Sequence, residues 1–583
     1  MLKILIARIR VGLLAAVSLS QASGDDITRV KDIYPSFGSS SPSNFMRCGG
    51  YVYFAAADGS SGRELWRTDG TGAGTTLVKD LVAGSGNGFS TDEASFSLGV
   101  MGGNLYFKSQ DNYFWRSDGT NAGTTQLNPD KNLYSIGTRL YPFGNQIYFI
   151  GATLATGNEL WRTDGTVGRT AIVADINGGP SSSLPSGLTV TADSLYFSTS
   201  VTTQLLRVDN GGVLYWPGGV TTMSSFSQGV AMGNLLYFVG NDGVHGIELM
   251  KTDGTAAGTS VVKDFTPGST GSEILQLTRV GQLLYFINGN DIWKTDGTDA
   301  GTVKVFTRTT EDFPFTGLTA VGNTLYFAAG TKEDGKELWK SDGTTAGTVM
   351  VKDIYTGSKK SAAPEMLLPV GNRIYFRAND GVNGICLWKS DGTPAGTVRL
   401  TGPSPERFYF DGQRIYCSAY GLDGSGWELY KYDVPSSELP VDPRAGWRMT
   451  YFSDSANSGD GADGQDPDHD GLTNLMEFVL GVNPTIPNAN VTTGAPFIAG
   501  KPVALAATSP AVPHVVFSRR TDLAAAGITT VPQFSAGLSG WQDATGAPEV
   551  LSSSAGVEIL SIDVPVALRS SDKVFFRLKV TTE

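Results

Sequence analysis

Histidine and cysteine are nearly missing from this chain, three of each in 583 residues. His245, His469 and His514 are too few and too scattered for a multi-histidine metal site or a set of histidine bases. Cys48, Cys386 and Cys417 form an odd set without C-x-x-C spacing, so neither a zinc site nor a disulfide framework follows. Each sits in a strand-like run and reads as a buried free thiol, although an oxidising compartment permits one pair to bridge neighbouring units. Basic residues are short as well: 44 Lys and Arg stand against 56 Asp and Glu, a net charge of −12. A nucleic-acid binder needs the opposite balance to displace counterions, and that class is set aside. Beyond the N-terminus no apolar run approaches the ~20 residues that span a bilayer. Also missing are a G-x-S-x-G elbow, an H-E-x-x-H helix and a vicinal cysteine pair, which removes the commonest sequence marks of hydrolases, metalloproteases and quinoproteins.

Glycine is abundant instead, with 74 Gly and 27 Pro beside 40% hydrophobic and 10% aromatic residues. That mixture suits many short strands joined by tight turns. Lys3, Arg8 and Arg10 precede an uncharged run, Val11 to Ser20, and then Ser20-Gln21-Ala22. The order predicts a signal peptide over residues 1–22 and a secreted or cell-surface protein.

Glu64-Leu65-Trp66-Arg67-Thr68-Asp69-Gly70-Thr71 recurs along the chain. Its Asp-Gly-Thr returns at Asp118, Asp164, Asp253, Asp296, Asp342 and Asp391, with degenerate copies at Asp209 and Asp433, 42–49 residues apart. An aliphatic-Tyr mark precedes each copy, at Tyr53, Tyr106, Tyr148, Tyr196, Tyr237, Tyr285, Tyr326, Tyr375 and Tyr416. Each unit reads as four short strands with Gly-rich hairpins, the blade period of a β-propeller. Nine marks predict about nine blades; skipping the worn fourth unit leaves eight. Arg29-Val30-Lys31-Asp32-Ile33 looks like an outer strand ahead of any inner one, whereas the ninth unit ends without one. The N-terminal segment is therefore expected to complete the last blade and close the ring.

The recurrent Trp residues fall at one register and read as packing between blades. The Asp of each Asp-Gly-Thr reads as a turn residue bonded to nearby backbone N–H groups. Where the repeat decays, around Gln204–Trp216 with Tyr215 and Trp216 off register, is the first place to look for a ligand.

The Glu-Leu-Trp-x-x-Asp-Gly-Thr copies, followed by Ala-Gly-Thr and Val-Lys-Asp-Ile, resemble the ELWxxDGT repeat proteins exported by bacteria. The resemblance covers about residues 26–434 and implies a propeller-like surface protein; it brings no assigned reaction.

A Pro-rich stretch follows the repeats, and then Asp466-Pro467-Asp468-His469-Asp470-Gly471-Leu472-Thr473-Asn474-Leu475-Met476-Glu477. The spacing is that of a twelve-residue calcium loop. Asp466, Asp468 and Asp470 supply carboxylates, Leu472 its carbonyl, Asn474 the ninth position, and Glu477 closes the shell. Leu472, Leu475, Met476, Val479 and Leu480 predict a helix leaving it. The segment resembles the dockerin-like and thrombospondin type 3-like calcium repeats of exported proteins. Asp460 and Asp463 suggest a second, poorer ion.

Four segments result: the signal peptide, a propeller over 23–434, a linker with an EF-hand-like Ca2+ loop over 435–489, and an all-β sandwich over 490–583. The expected function is non-catalytic binding of an extracellular glycan or protein, with calcium stiffening the junction. The competing expectations are a propeller hydrolase or lyase acting on extracellular polysaccharide, and a purely structural surface repeat.

Overall fold

The computed structural model describes residues 26–439 except 93–95, 102, 129–132, 134, 144, 192–193, 203–204, 210, 216–225, 233–234, 310–311 and 358–359. Beyond these it describes 444, 463–465, 472–480 and 503–582 without 506–513, 522, 524–525, 527, 537–540, 545–547, 555–556 and 569–574. The predicted signal peptide lies outside the described residues. The chain divides between Leu439 and Pro440 into two units. No helix among the described residues is long and apolar enough to cross a membrane.

In the first unit nine antiparallel sheets follow one another along the chain. Blade 1 runs outward through Ser43–Cys48, Tyr51–Ala57, Arg63–Thr68 and Thr76–Lys79. Blades 2 to 9 start from inner strands Leu98–Met101, Tyr141–Phe143, Ser186–Val190, Phe226–Met232, Ile274–Val280, Phe313–Val321, Glu365–Val370 and Pro405–Phe410. Each inner strand touches that of the next blade, and the ninth touches the first, so the ring closes. The worn fourth unit forms a four-stranded blade, ending in Leu206–Asp209 and Leu214–Tyr215, and among the described residues the blades number nine, not eight. In blade 3 the inner position is split, because Ser135–Ile136 and Tyr141–Phe143 share one partner, Gln146–Thr153.

Closure follows the sequence expectation. Thr28–Lys31 pairs with Trp427–Asp433 as the outer strand of blade 9, joining residues about four hundred positions apart, Thr28 to Lys431 and Arg29 to Tyr430. Fully buried Glu428 adds a clasp, accepting the Ile33 N–H at 2.8 Å, the Ser40 N–H at 3.1 Å and the Ser40 hydroxyl at 2.7 Å.

The repeat motifs are explained by strand alternation. Side chains leave a strand to opposite faces in turn, and here both faces are buried between blades. Tyr53 and Leu65 of blade 1 therefore pack with Leu105, Phe107 and Trp115 of blade 2. Val52, Phe54 and Trp66 pack backwards on Tyr416 and Leu429 of blade 9. The same layer recurs with Tyr106 against Trp161 and Tyr326 against Trp388. Each buried aromatic side chain contributes roughly 1.5–3 kcal/mol, and the motif places one on each side of every seam.

Glycine of Asp-Gly-Thr sits under the tyrosine of the preceding blade. Gly297 has φ +93°, and the Tyr237 hydroxyl occupies the space a Cβ would need. Tyr53 over Gly119, Tyr285 over Gly343 and Tyr326 over Gly392 repeat the contact. At several seams the cation after the Trp, or after Met250 in blade 5, reaches the same glycine, as Arg67 does the Gly119 carbonyl at 2.8 Å and Lys251 the Gly297 carbonyl at 2.7 Å. Towards the channel, bulges hold Asn44, Gln228 and Gln276 in the left-handed region. Their amides bond to the next blade: Gln228 donates to the Ile274 carbonyl at 3.1 Å, and Gln276 accepts the Leu318 N–H at 3.0 Å. The strained backbone is thus offset by contacts along the ring.

The second unit is a two-sheet sandwich. One sheet orders as Val503–Leu505, His514–Arg520, Val557–Asp563 and Glu549–Ser554; the other as Gln542–Asp543, Ile528–Ser535 and Phe575–Thr582. Phe517 and Leu560 from the first meet Ile528, Phe534 and Leu578 from the second. A helix, Asn474–Leu480, contributes Phe478, Val479 and Leu480 to that core.

Candidate metal centre and ligand-facing surfaces

Asn474–Leu480 is helical where the apolar spacing predicts it, and one face is buried in the sandwich core. The Asn474 N–H donates to the Gln465 carbonyl at 2.7 Å and the Leu475 N–H to the Asp463 carbonyl at 3.0 Å. Asp463 and Gln465, ahead of 466–471, are thereby tied to Asn474 and Leu475, which follow it. Of the six predicted calcium ligands, Leu472, Asn474 and Glu477 are described. Asp466, Asp468 and Asp470 lie outside the described residues, as do Gly471, His469 and Asp460. Asn474 and Glu477 are wholly buried, and a buried carboxylate and amide oxygen are donors of the kind that suit a hard divalent cation. Among the described residues no three His, Cys, Asp or Glu side chains converge. Asp463, expected to assist a second ion, faces the Arg444 guanidinium at 3.5 Å.

In the propeller, the Asp-Gly-Thr carboxylates serve the turn. Asp69 Oδ1 accepts the Thr71 N–H at 2.8 Å and its hydroxyl at 2.7 Å, while Thr68 and Thr75 hydroxyls meet at 2.8 Å. Asp118, Asp253, Asp296, Asp342 and Asp391 repeat the arrangement. The glutamates of Glu-Leu-Trp are a second belt, hidden from the sequence reading. Glu64 accepts the Leu81 N–H at 2.8 Å and the Gly88 N–H at 2.7 Å. Glu337 does the same for Ile354 at 2.9 Å and Ala362 at 3.0 Å. Each thus caps the linker into the next blade; the signal was a lone acid inside an otherwise apolar strand.

The two belts respond oppositely to pH. Burial pushes the Glu64 carboxyl up to about 8 and Glu337 to about 7, from an ordinary 4.5. Their contribution is fully present below pH 4.5 and is lost as pH rises through 7 to 8. The threonine hydrogen bonds hold Asp69, Asp253, Asp296 and Asp342 below 3.8, so their contribution is present above 3.8 and lost as pH falls. Thermal unfolding is therefore expected to peak near pH 5 and decline by several degrees towards pH 8.5. Scanning calorimetry across that range checks it; Glu64→Gln with Glu337→Gln should flatten the alkaline limb, and an unchanged limb refutes the assignment.

Blade 4, where the repeat decays, spends its off-register tyrosine internally. The Tyr215 hydroxyl donates to Asp209 at 2.9 Å, and Arg207 lies 4.3 Å from its ring. Gln204 and Trp216 lie outside the described residues. The three cysteines are free and buried, matching the thiol reading. A feature the sequence reading passed over is at the hairpins joining second and third strands, which all emerge on one face of the ring. Leu154, Val244, Val382 and Leu422, at the tips in blades 3, 5, 8 and 9, are 65–88% exposed. Phe37, on the linker into blade 1, is 88% exposed. An apolar residue within a Gly-rich turn, as in Asp242-Gly243-Val244 and Asp380-Gly381-Val382, was the available sign.

No protein-family model matches the chain, and no curated protein matches it. Among solved structures, a computationally designed protein, Ika8, is 12% identical with a TM-score of 0.35, covering 58% of this chain and 95% of that one. BamB from Moraxella catarrhalis is 12% identical with a TM-score of 0.32, covering 58% and 91%. An oligogalacturonate lyase in complex with manganese is 15% identical with a TM-score of 0.31, covering 50% and 87%. The fold itself rests on the order and closure of the nine blades: the chain is an all-β, propeller-like repeat protein.

Proposed function

We propose that the chain is an exported or surface-displayed binding protein without catalytic activity. One observation carries the reading: the repeated polar and aromatic groups are consumed in holding blades together, whereas apolar tips project from one face. Exposed leucine, valine and phenylalanine at loop tips favour contact with an extracellular protein surface over a glycan. The Ca2+ loop, through Asp466, Asp468, Asp470, Leu472, Asn474 and Glu477, stabilises the helix of the second unit. An ion at a hundred times its Kd adds about 2.7 kcal/mol to the folded form.

The test is a binding and turnover screen of the full chain against envelope proteins and polysaccharides, with calcium and with EDTA. Saturable binding without product is expected, reduced tenfold or more by Val382→Asp with Leu422→Asp at an unchanged melting temperature. EDTA should lower the melting temperature of the second unit. New reducing ends or unsaturated sugars in the screen, or tip variants that bind normally, overturn the reading.

A further inference from the structure

The second strand of blade 2, Asn104–Lys108, ends in a cation that the repeat does not call for. Lys108 follows Tyr106-Phe107 at the register that holds Ala55 in blade 1 and Ala328 in blade 7, both fully buried. In blade 8 the register also carries a cation, Arg377, but that one is neutralised. Its guanidinium lies 3.4 Å from the Glu365 carboxylate and donates to the Glu406 carbonyl at 3.2 Å. Lys108 is partly buried and makes no ion pair or side-chain hydrogen bond. Burial is the only influence on its ammonium, which it holds below the usual 10.5.

A cavity of about 210 Å³ opens beside this lysine, lined by Lys108, Ser90, Phe96, Ser109 and Gln110. Ser90 and Phe96 belong to the linker entering blade 2, the others to the end of its second strand and the hairpin beyond. The Gln110 N–H donates to the Gly88 carbonyl at 2.7 Å, which holds hairpin and linker together. Ser90 Oγ accepts the Asp92 N–H at 3.0 Å and keeps its own proton to donate. The Ser109 hydroxyl is committed, donating to Asp111 and accepting the Trp115 indole N–H at 3.0 Å. The cavity thus offers an ammonium, a hydroxyl and an amide as donors, with one aromatic wall. An ammonium withdrawn from water without a partner is unfavourable, and a bound anion supplies the missing charge-assisted hydrogen bond.

We propose that this cavity binds a small organic carboxylate, its oxygens on the Lys108 ammonium and the Ser90 and Gln110 donors, its body against Phe96. One cation balances one negative charge. Asp92 and Asp111, exposed on the same linker and hairpin, disfavour a dianion such as sulfate. The volume is below the ~300 Å³ at which pockets for drug-sized ligands begin, which limits the ligand to a small acid. The site depends neither on the apolar tips nor on the loop at 466–477.

The experiment labels the full chain with a trace of acetic anhydride and reads each lysine by peptide mass spectrometry, with and without sodium benzoate or sodium glucuronate. Lys108 is expected to acetylate early and to be protected about fivefold or more by ~10 mM carboxylate. The neutral counterparts, benzamide and glucose, should give no protection. Lys336, also held below its usual value by burial but not part of this cavity, should label as readily and stay unprotected. Protection by benzoate alone assigns an apolar acid and by glucuronate alone a sugar acid; either supports the proposal. Ligand-observed saturation transfer gives the second readout. Lys108→Met, at an unchanged melting temperature, should abolish the signal, and Ser90→Ala should weaken binding roughly two- to tenfold. Four results overturn the proposal: protection by neither acid, equal protection by the neutral counterparts, equal protection by sulfate, or a signal untouched by Lys108→Met.

Discussion

Removing residues 26–33 is expected to abolish the monomeric propeller. The deletion takes away Thr28–Lys31, leaving the edge of Trp427–Asp433 with a row of unpaired N–H and C=O groups. It exposes the sites that bury Ile27 and Ile33, worth roughly 1.5–3 kcal/mol each. It also strips Glu428 of the Ile33 N–H and frees the segment carrying Ser40, and each lost donor to a buried carboxylate costs about 1–3 kcal/mol. The total is on the order of 10 kcal/mol, comparable with the whole stability of a typical domain. The expected product aggregates or pairs edge to edge, read by light scattering on a sizing column. Glu428→Ala in the intact chain is the milder version and should lower the melting temperature while leaving a monomer. A peptide of residues 26–40 supplied in trans should rescue the deletion. A truncated chain that stays monomeric and melts within a few degrees of the parent would mean that the pairing is ornamental.

Closure was legible because it is an asymmetry in a repeat: an outer strand without an inner one at the start, and the reverse at the end. The tyrosine marks likewise numbered the blades correctly, including the worn fourth, because its Leu195-Tyr196-Phe197 kept the alternation although its Asp-Gly-Thr did not. The roles of the motif residues were less legible, since their partners are a whole repeat away. Tyr53 acts on Gly119, and Glu428 on Ile33; no local rule pairs such positions. Glu64 is capped by backbone N–H groups of its linker, whereas Glu248 also accepts the Thr266 and Ser272 hydroxyls. That difference exists only in three dimensions. The apolar tips were overlooked for the converse reason: they break the repeat one residue at a time, at Leu154, Val244, Val382 and Leu422, and become a pattern only when the ring puts them on one face.

Gly392→Ala separates the two reasons for a glycine at the seam. Backbone φ there is +87°, which costs an L-residue roughly 1–2 kcal/mol. A Cβ would also fall below the 3.0 Å that such atoms essentially never cross, against the Tyr326 hydroxyl; the next atoms, Tyr326 Cζ and Lys340 Cδ, stand at 3.5 and 3.7 Å. The clash therefore comes from one oxygen. With overpacking adding about 1–3 kcal/mol, the single variant should lose roughly 2–5 kcal/mol. Tyr326→Phe removes that oxygen and restores ordinary contact, so the double variant should recover the steric share and retain the conformational one. Denaturant unfolding of wild type, both singles and the double gives the coupling directly. A coupling of about 1 kcal/mol or more, with Gly392→Ala the less stable single, fits tyrosine seated on glycine as the lock between blades 7 and 8. Strict additivity would mean that the glycine answers only to its own backbone and that the seam is held by the Tyr326–Trp388 layer alone.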